Sequence, residues 1–325
     1  MATPTVQVAT YVFIDLETTG LPKEENNRTK ITEISMVAVK RDHLLDTRPG
    51  AAPRVQHKLT LCLNPGRMIH PDCTKVTGLC NDLLEYEPDF NINVFNMINT
   101  FLNVLSKPVC LIAQNGAGFD FPILKCQVEK LKVAFSEDLL CADCYHGFFD
   151  IMEAKKSIFN TEISKENAQT EENGQKLENS HIIENGQHTE NVHTIKNSHT
   201  IENEDKNELY TLKNTLHMKL KNESTPQTKH SGNVTPRETN KKISKARRRF
   251  PWSEGSKLKD SYKLKDIYER LLNRPPLEAH RAENDCILAL ECSVALGQEF
   301  VQWVDKNYFS FAKVVPMTPG VPLGS

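Results

Sequence analysis

The amino-acid sequence predicts an α/β protein whose mixed β-sheet is covered by helices and interrupted by a long polar insertion. Three strand-like segments come first, at Ala9–Leu16, Ile31–Arg41 and Gln56–Leu63. Strand-like and helix-like segments then alternate along the chain. Consecutive strands can pair antiparallel, whereas strands joined through helices can pair parallel. Both kinds of pairing are therefore expected in one sheet.

Each later segment carries its own local pattern. Phe90–Leu105 has apolar residues at spacings of three and four, which is typical of a helix packed on one face. Val109–Ala113 is a short apolar run and is predicted to be a buried strand. Phe121–Val133 is predicted to be a helix because Pro122 falls in its first turn. The remaining expected elements are a strand at Leu139–Cys144 and helices at Leu264–Leu272, Ala282–Ala295 and Gln298–Lys306.

The composition divides the chain into two packed segments, residues 1–159 and 250–325, on either side of an insertion at residues 160–249. Tyr210 is the only aromatic residue of the insertion, which is rich in Asn, Glu, Lys, Thr and Ser. Such a segment cannot bury enough apolar surface to offset its ordering entropy, so we expect it to be disordered. Its histidines at positions 181, 188, 193 and 199 fit no closed metal site and are expected to be solvated.

The net charge and the cysteine content indicate which partners and which cellular compartment to expect. The net charge of −2 means that a polyanionic partner must be held by a local patch or a bound metal. Nine scattered cysteines and the absence of a secretory pattern in Met1–Thr10 favour free thiols in a reducing compartment. Cys141 and Cys144 form a lone pair without a second metal half, so no zinc is expected. We expect a soluble, intracellular protein.

The strongest local motif is the run from Phe13 to Gly20, which contains Asp15 and Glu17 on the first predicted strand. Side chains two residues apart on a strand share a face, so the two carboxylates point the same way. They repel each other unless a cation lies between them, and hard oxygen ligands suit Mg²⁺ or Mn²⁺. A half-exposed strand with two surface acids, and with Leu16 facing the core, explains the pattern equally well.

Three further residues could complete a metal centre. Asp120 lies between a buried strand and a helix start, where it could instead be an N-cap. Asp285 lies inside a predicted helix, and His280 lies at or just before its start. An exposed helix start with an acid stabilised by the helix dipole is the alternative for this pair. Together the motifs supply four carboxylates and one histidine, a set that suits two-metal phosphodiester hydrolysis with a histidine base.

The order Asp-x-Glu, Asp, His-x4-Asp resembles that of exonucleases with four acids and a histidine on a ribonuclease H-like fold. More narrowly, the chain resembles the three-prime repair exonucleases of animals. The similarity covers nearly all of both packed segments in family order. The matching pieces are Asp15–Pro22, Lys58–Cys62, Val76–Leu79, Asn115–Gly116, Phe119–Pro122, Ser261–Tyr262, Ile267–Tyr268, His280–Asp285 and Trp303–Asp305.

The resemblance implies a metal-dependent 3′→5′ exonuclease that releases nucleoside monophosphates from DNA 3′ ends, single-stranded or frayed. It implies two Mg²⁺ ions, for which Mn²⁺ can substitute, with Asp15 bridging them and His280 deprotonating the attacking water. The implied metal ligands are Asp15, Glu17, Asp120 and Asp285. The implied substrate contacts are Glu17, Thr18, Leu21, Pro22, Val76, Gln114, Phe119, His280 and Asp285. The family often has His, a basic residue and Tyr at positions 114, 118 and 119, where this chain has Gln114, Gly118 and Phe119.

The resemblance also implies partners and a role in DNA repair. We expect a homodimer formed through the strand near Lys58–Leu63, no membrane anchor because the chain ends at Ser325, and a nuclear or cytoplasmic location. The basic run Lys241–Arg249 is an import signal, a nucleic-acid contact or a solvated charge run. Lys257 and Lys259 extend this run, and we expect the region to guide a nucleic-acid strand. An RNA 3′-exonuclease or a non-catalytic nucleic-acid-binding relative are the alternative functions.

Overall fold

A computed structural model of the protein describes residues 6–159, 161, 260–276 and 280–321. The predicted insertion at residues 160–249 lies outside the described residues, apart from Thr161. The basic run Lys241–Arg249 and its extension to residue 259 lie outside them as well. All described residues belong to one compact unit, which is built from both sides of residues 162–259.

A six-stranded mixed sheet forms the centre of this unit, with the strand order β3-β2-β1-β4-β5-β6. Strand β2 is antiparallel to β1 and β3, β4 is parallel to β1 and β5, and β6 is antiparallel to β5. The expected mixed sheet is confirmed, and the order of β1 to β5 fits the ribonuclease H-like fold. The strands are β1 (Thr10–Thr18), β2 (Ile31–Lys40), β3 (His57–Cys62), β4 (Val109–Ala113), β5 (Leu140–Asp143) and β6 (Phe309–Ser310).

Helices cover both faces of the sheet. The described helices are α1 (Arg41–Leu45), α2 (Pro71–Thr77), α3 (Asn81–Leu84), α4 (Ile92–Asn103), α5 (Asp120–Lys130), α6 (residues 144–159), α7 (Leu264–Leu272), α8 (Ala282–Leu296) and α9 (Gln298–Asn307). The five predicted helices are confirmed with small shifts at their ends. Helix α6 was not predicted, because Gly147 in its second turn disfavours a helix locally. In the folded chain a Cβ at Gly147 would lie 3.0 Å from the Trp303 ring, so glycine permits close packing of α6 on α9.

Alternation along β1 separates two hydrophobic clusters, one on each face of the sheet. Tyr11 and Phe13 point into the cluster formed with α8 and α9. Leu16 points into the opposite cluster, which packs beneath α4 and α5. Since the alternation continues to the end of the strand, Asp15 and Glu17 share the face of Tyr11 and Phe13. The sheet therefore directs both carboxylates towards α8.

Strand β3 forms one edge of the sheet. Its residues His57, Lys58 and Thr60 are exposed.

Within the described ranges, no helix is long and apolar enough to cross a membrane. All nine cysteines are described and none is in a disulfide, which confirms the expected free thiols. Cys141 and Cys144 are buried in this unit and their thiols face the Phe309 carbonyl and the Gln114 amide.

Lys156 of α6 connects the two ends of the chain that flank residues 162–259. Its ammonium group donates a hydrogen bond to Glu153 at 2.6 Å and another to Asp260. Asp260 is the first described residue after that stretch, and it also pairs with Arg270 at 3.4 Å. The chain thus leaves and re-enters the described unit at one place on its surface.

Deleting Thr161–Thr239 is expected to leave the unit folded, because residues 240–259 suffice to connect ends that meet at Lys156. The melting temperature of the deletion variant should lie within about 4 °C of that of the full chain, equivalent to roughly 1 kcal/mol. Circular dichroism melts of both proteins measure this difference. An aggregated or unfolded deletion variant would contradict the prediction.

Candidate active site

Asp15 and Glu17 lie near the end of β1 on either side of Leu16. Leu16 is only 4% exposed and belongs to the core cluster on the opposite face. Both acidic side chains are partly buried and line one cleft. Their position in one cleft favours a shared site over two unrelated surface acids.

Asp285, in the first turn of α8, completes a group of three carboxylates. One oxygen from each of Asp15, Glu17 and Asp285 lies within 4.8 Å of the others. Across the described ranges this is the only group of three or more acidic, histidine or cysteine side chains spaced to share a metal ion. The two halves of the sequence thus meet at one point, which supplies the oxygen ligands that Mg²⁺ and Mn²⁺ prefer.

Burial and mutual repulsion make this group unfavourable in its charged form. Burial raises the pKa of Asp15 well above its usual value, and neighbouring carboxylates raise it further. Burial, with help from Asp285 and Glu33, raises the pKa of Glu17 to about 8. Burial also raises the pKa of Asp285, although a hydrogen bond from the His280 backbone opposes the shift. A divalent cation would stabilise the charged carboxylates, so the residues present fit such an ion.

Asp120 is buried beside this group and is the first residue of α5. One of its carboxylate oxygens accepts the backbone N–H of Leu16 at 3.1 Å. Phe119 occupies the N-cap position and its side chain makes no capping bond, so the interpretation of Asp120 as an N-cap is wrong. Burial raises the pKa of Asp120, and the charge of Asp120 in turn raises the pKa of Asp15. Asp120 therefore acts electrostatically on the acidic group.

His280 lies two residues before the first residue of α8 and is not part of the helix. Its backbone has a φ of 71°, a left-handed conformation that is uncommon for residues other than glycine. Its N–H donates to the Asp285 carboxylate at 2.9 Å. The histidine side chain is exposed and lines the same cleft as the three acids. The structure thus brings His280 and Asp285 to one site, as the sequence required.

The cleft has a volume of about 530 Å³, which is within the range of roughly 300–1,000 Å³ typical of ligand sites. Leu21 and Val76 are 54% and 50% exposed, so two apolar side chains are accessible within the cleft. Pro22, which was expected to contact substrate, is buried and is not among the lining residues. The other predicted contacts that line the cleft are Glu17, Thr18, Gln114, Phe119, His280 and Asp285.

Gln114 lines the cleft, but its amide is already hydrogen-bonded within the protein. The side-chain N–H₂ group donates to the carbonyl of Tyr262 at 3.0 Å, and the side-chain oxygen accepts from the Cys144 thiol. Leu264, two residues after Tyr262, also lines the cleft. Gln114 therefore joins the cleft wall to the chain that follows residues 162–259.

Two acidic residues near the site have roles that local patterns did not reveal. Asp143, at the end of β5, accepts backbone N–H groups from Asn115, Ala117 and Tyr145 at 2.9, 3.1 and 3.1 Å. These bonds fix the loop that carries Gln114, Phe119 and Asp120. Glu33, on β2, accepts the N–H of the first residue of α8. A polar residue at the end of a buried strand was the only sequence signal for Asp143.

Helix α2 forms a cleft wall that the sequence interpretation missed. It begins at Pro71, and the His70 side chain accepts the N–H of Asp72 at 3.3 Å. The His70 N–H donates to the carbonyl of Thr19 at 2.7 Å, which ties the helix to the end of β1. Proline at a helix start was the available signal. This contact holds Val76 on the cleft.

Comparisons with known proteins identify similar chains. A family model described as an exonuclease matches residues 12–162. The chain is 37% identical over 153 residues to three-prime repair exonuclease 1 of Bos taurus, covering 44% of this chain and 48% of that protein. It is 38% identical over 141 residues to three prime repair exonuclease 2 of Mus musculus, covering 41% and 58%. A solved structure of cell-death related nuclease 4 is 13% identical, with a TM-score of 0.36 over 46% of this chain and 50% of that one.

The matched part of the chain thus spans about half the length of these curated relatives. The matched residues include β2 to β5 and the part of β1 that carries Asp15 and Glu17. Residues 12–162 therefore match the exonuclease family model, and the chain is similar in sequence to the three-prime repair exonucleases over that part.

Proposed function

We propose that the protein is a metal-dependent 3′→5′ exonuclease that releases nucleoside monophosphates from DNA 3′ ends. The observation that carries this proposal is the convergence of Asp15, Glu17 and Asp285, whose oxygens lie within 4.8 Å of one another. Asp120 and His280 lie beside them. The similarity to three-prime repair exonucleases supports the direction of cleavage and the choice of DNA.

The acidic residues would hold two Mg²⁺ ions, for which Mn²⁺ can substitute. Asp15, Glu17, Asp120 and Asp285 would supply the carboxylate oxygens that hold them. When bound, a metal pair stabilises the charge on the attacking and leaving oxygens of a phosphodiester. The Leu16 N–H holds the Asp120 carboxylate in place, and the His280 N–H holds that of Asp285. Little reorganisation of these side chains would then be needed before cleavage.

His280 would take the proton from the attacking water. Its side chain is exposed and faces the cleft, so solvent and substrate can both reach it. Its backbone bond to Asp285 keeps the imidazole next to the carboxylates. A general base must lie within hydrogen-bond reach of the water that it activates. The left-handed backbone at His280 turns the chain towards the site before the helix begins.

The last nucleotide of the 3′ end would lie against the exposed apolar side chains of Leu21 and Val76. Stacking of a base on apolar surface does not depend on its identity, which suits an enzyme that removes every nucleotide in turn. Thr18 would contact the nucleotide through its backbone, because its hydroxyl donates to the Gly20 carbonyl at 3.1 Å. Phe119 would contact the terminal sugar or phosphate. These contacts define a 3′-end site with little sequence preference.

RNA is the alternative substrate, because the same carboxylates and histidine could cleave the phosphodiester of an RNA 3′ end. A non-catalytic role in binding nucleic acid is less consistent with the chain, since all five catalytic positions carry the required residues. We further propose that the protein acts in DNA repair in the nucleus or cytoplasm. A homodimer through the exposed edge strand β3 would cover the free hydrogen-bonding groups of that edge.

Replacing Asp15 by Asn is expected to lower the rate of DNA cleavage about 100-fold or more, because one of the carboxylates that would hold the charge-stabilising metal ions is lost. The assay uses labelled single-stranded DNA, duplex DNA and RNA with Mg²⁺ or a chelator. Asp138→Asn is the matched control, since Asp138 is an exposed surface carboxylate paired with Lys107. Equal digestion by the Asp15 variant would remove the proposed centre. Faster digestion of RNA than of DNA would overturn the choice of substrate.

Raising the pH without divalent ions is expected to destabilise the protein. The folded-state pKa of Glu17 is raised to about 8, and those of Asp15 and Asp285 are also raised. Between the unfolded value of about 4 and these folded values, the folded protein binds more protons. The free energy of unfolding therefore falls as the pH rises. A divalent ion removes this dependence, so Mn²⁺ should raise the melting temperature more at about pH 8 than at about pH 5.5.

Melting temperatures in chelator and in Mn²⁺ at both pH values test this expectation. Glu17→Gln should show a smaller loss of stability with pH, since one of the raised carboxyl groups is gone. A melting temperature in chelator that rose steadily between the two pH values would contradict the argument.

The mass of the protein in solution tests the homodimer. Sedimentation equilibrium at micromolar concentration is expected to give twice the mass of the 36.9 kDa chain. A monomeric mass over the whole concentration range would exclude pairing through β3.

A further inference from the structure

The first turn of α8 is held by a residue from a distant part of the chain. The N–H of Ala282, the first residue of the helix, donates to the Glu33 carboxylate at 3.0 Å. The N-cap residue Arg281 makes no side-chain capping bond. The first N–H groups of a helix need partners from outside it, and a carboxylate also interacts favourably with the helix dipole. Glu33 therefore replaces the missing local cap.

Glu33 lies on β2 directly beside the catalytic strand. It pairs with Glu17 in the register of β1 and β2, and with Cys62 in that of β2 and β3. It is not one of the three residues spaced to share a metal ion in the described part of the chain. Its carboxylate instead reaches the start of α8, so it links the sheet that carries Asp15 and Glu17 to the helix that carries Asp285.

The position of Ala282 makes this link relevant to the site. His280 precedes it by two residues, and Asp285 follows it in the same helical turn. The Asp285 carboxylate accepts the His280 N–H at 2.9 Å, which closes the segment on itself. The bond to Glu33 ties this segment to β2 at a partly buried position. The thiol of Cys286, the residue after Asp285, also donates to the Ser35 carbonyl of β2 at 3.5 Å, but a thiol is a weak donor. A further tie, Lys58 to Glu283, has both side chains about 40% exposed and is expected to contribute little.

We propose that Glu33 is a positioning residue whose hydrogen bond to Ala282 sets His280 and Asp285 against Asp15 and Glu17. The catalytic part of this inference rests on the proposed function. The structural part concerns the placement of one metal ligand, Asp285, and can be measured without cleavage. Residues that orient metal ligands through hydrogen bonds commonly affect metal affinity or activity by about 10- to 100-fold.

Two conservative variants separate the hydrogen bond from the charge. Glu33→Gln keeps the length of the side chain and an acceptor oxygen, but removes the negative charge. Glu33→Asp keeps the charge, but its shorter side chain withdraws the carboxylate from Ala282. Ala282→Pro removes the donor itself, and proline is tolerated at the first position of a helix. Glu283→Gln is the matched control, because it weakens only the exposed pair with Lys58.

Mn²⁺ affinity measured by calorimetry is the first readout, and kcat and KM for single-stranded DNA are the second. Glu33→Asp and Ala282→Pro should each weaken Mn²⁺ binding about 10- to 100-fold and lower kcat with little change in KM. Glu33→Gln and Glu283→Gln should remain within about fivefold of the unmodified protein. The double variant Glu33→Asp/Ala282→Pro should be no worse than either single variant, because both remove one bond.

Wild-type Mn²⁺ affinity and kcat in Glu33→Asp would overturn the proposal, and so would a loss in Glu33→Gln as large as that in Glu33→Asp. Melting temperatures in chelator identify any variant that does not fold. If Glu33→Asp does not fold, the Mn²⁺ affinity and kcat of Ala282→Pro are compared with those of Glu33→Gln to test the proposal instead. If the unmodified protein does not cleave DNA, the proposed function fails while the Mn²⁺ affinities still decide the role of Glu33.

Discussion

The repulsion among the carboxylates at the end of β1 is the constraint on which the rest of the site depends. Asp15, Glu17 and Asp285 come within 4.8 Å of one another in a partly buried setting that favours their neutral forms. Such an arrangement weakens the fold unless a cation is bound. The hydrophobic clusters on both faces of the sheet supply the stability that holds the acids together. The site is therefore a place where packing energy offsets an electrostatic cost.

Backbone N–H groups, rather than side-chain partners, orient the acidic residues around the site. Asp120 accepts from Leu16, and Asp285 accepts from His280. Asp143 accepts from two residues of the loop after Gln114 and from Tyr145. A backbone donor moves only when its segment moves. The positions of these carboxylates are thus tied to the strand and helix ends themselves. This arrangement keeps the ligand oxygens in place without placing further positive side chains among them.

Local sequence patterns predicted the mixed sheet, five of the helices and the shared face of Asp15 and Glu17, but not α6, which is the longest described helix. They succeeded because alternation in β1 decides which way Asp15 and Glu17 point. They failed where a long-range contact decides the role of a residue. Glu33 and Ala282 are separated by 249 positions, and nothing near Glu33 in the sequence indicates a helix start. Strand β6, with two residues, is too short to produce a pattern, and Pro22 was misplaced because its turn buries it.

The two points at which the described unit joins residues 162–259 lie side by side at Lys156. This arrangement affects how the domain can vary between proteins. Closing a loop costs entropy that grows only with the logarithm of its length, by about 0.6 kcal/mol for each doubling. Because the folded unit already places Lys156 beside Asp260, the length of chain between them is almost neutral for stability. That surface point is a natural position for grafting a tag, a tether or a second recognition module onto this scaffold.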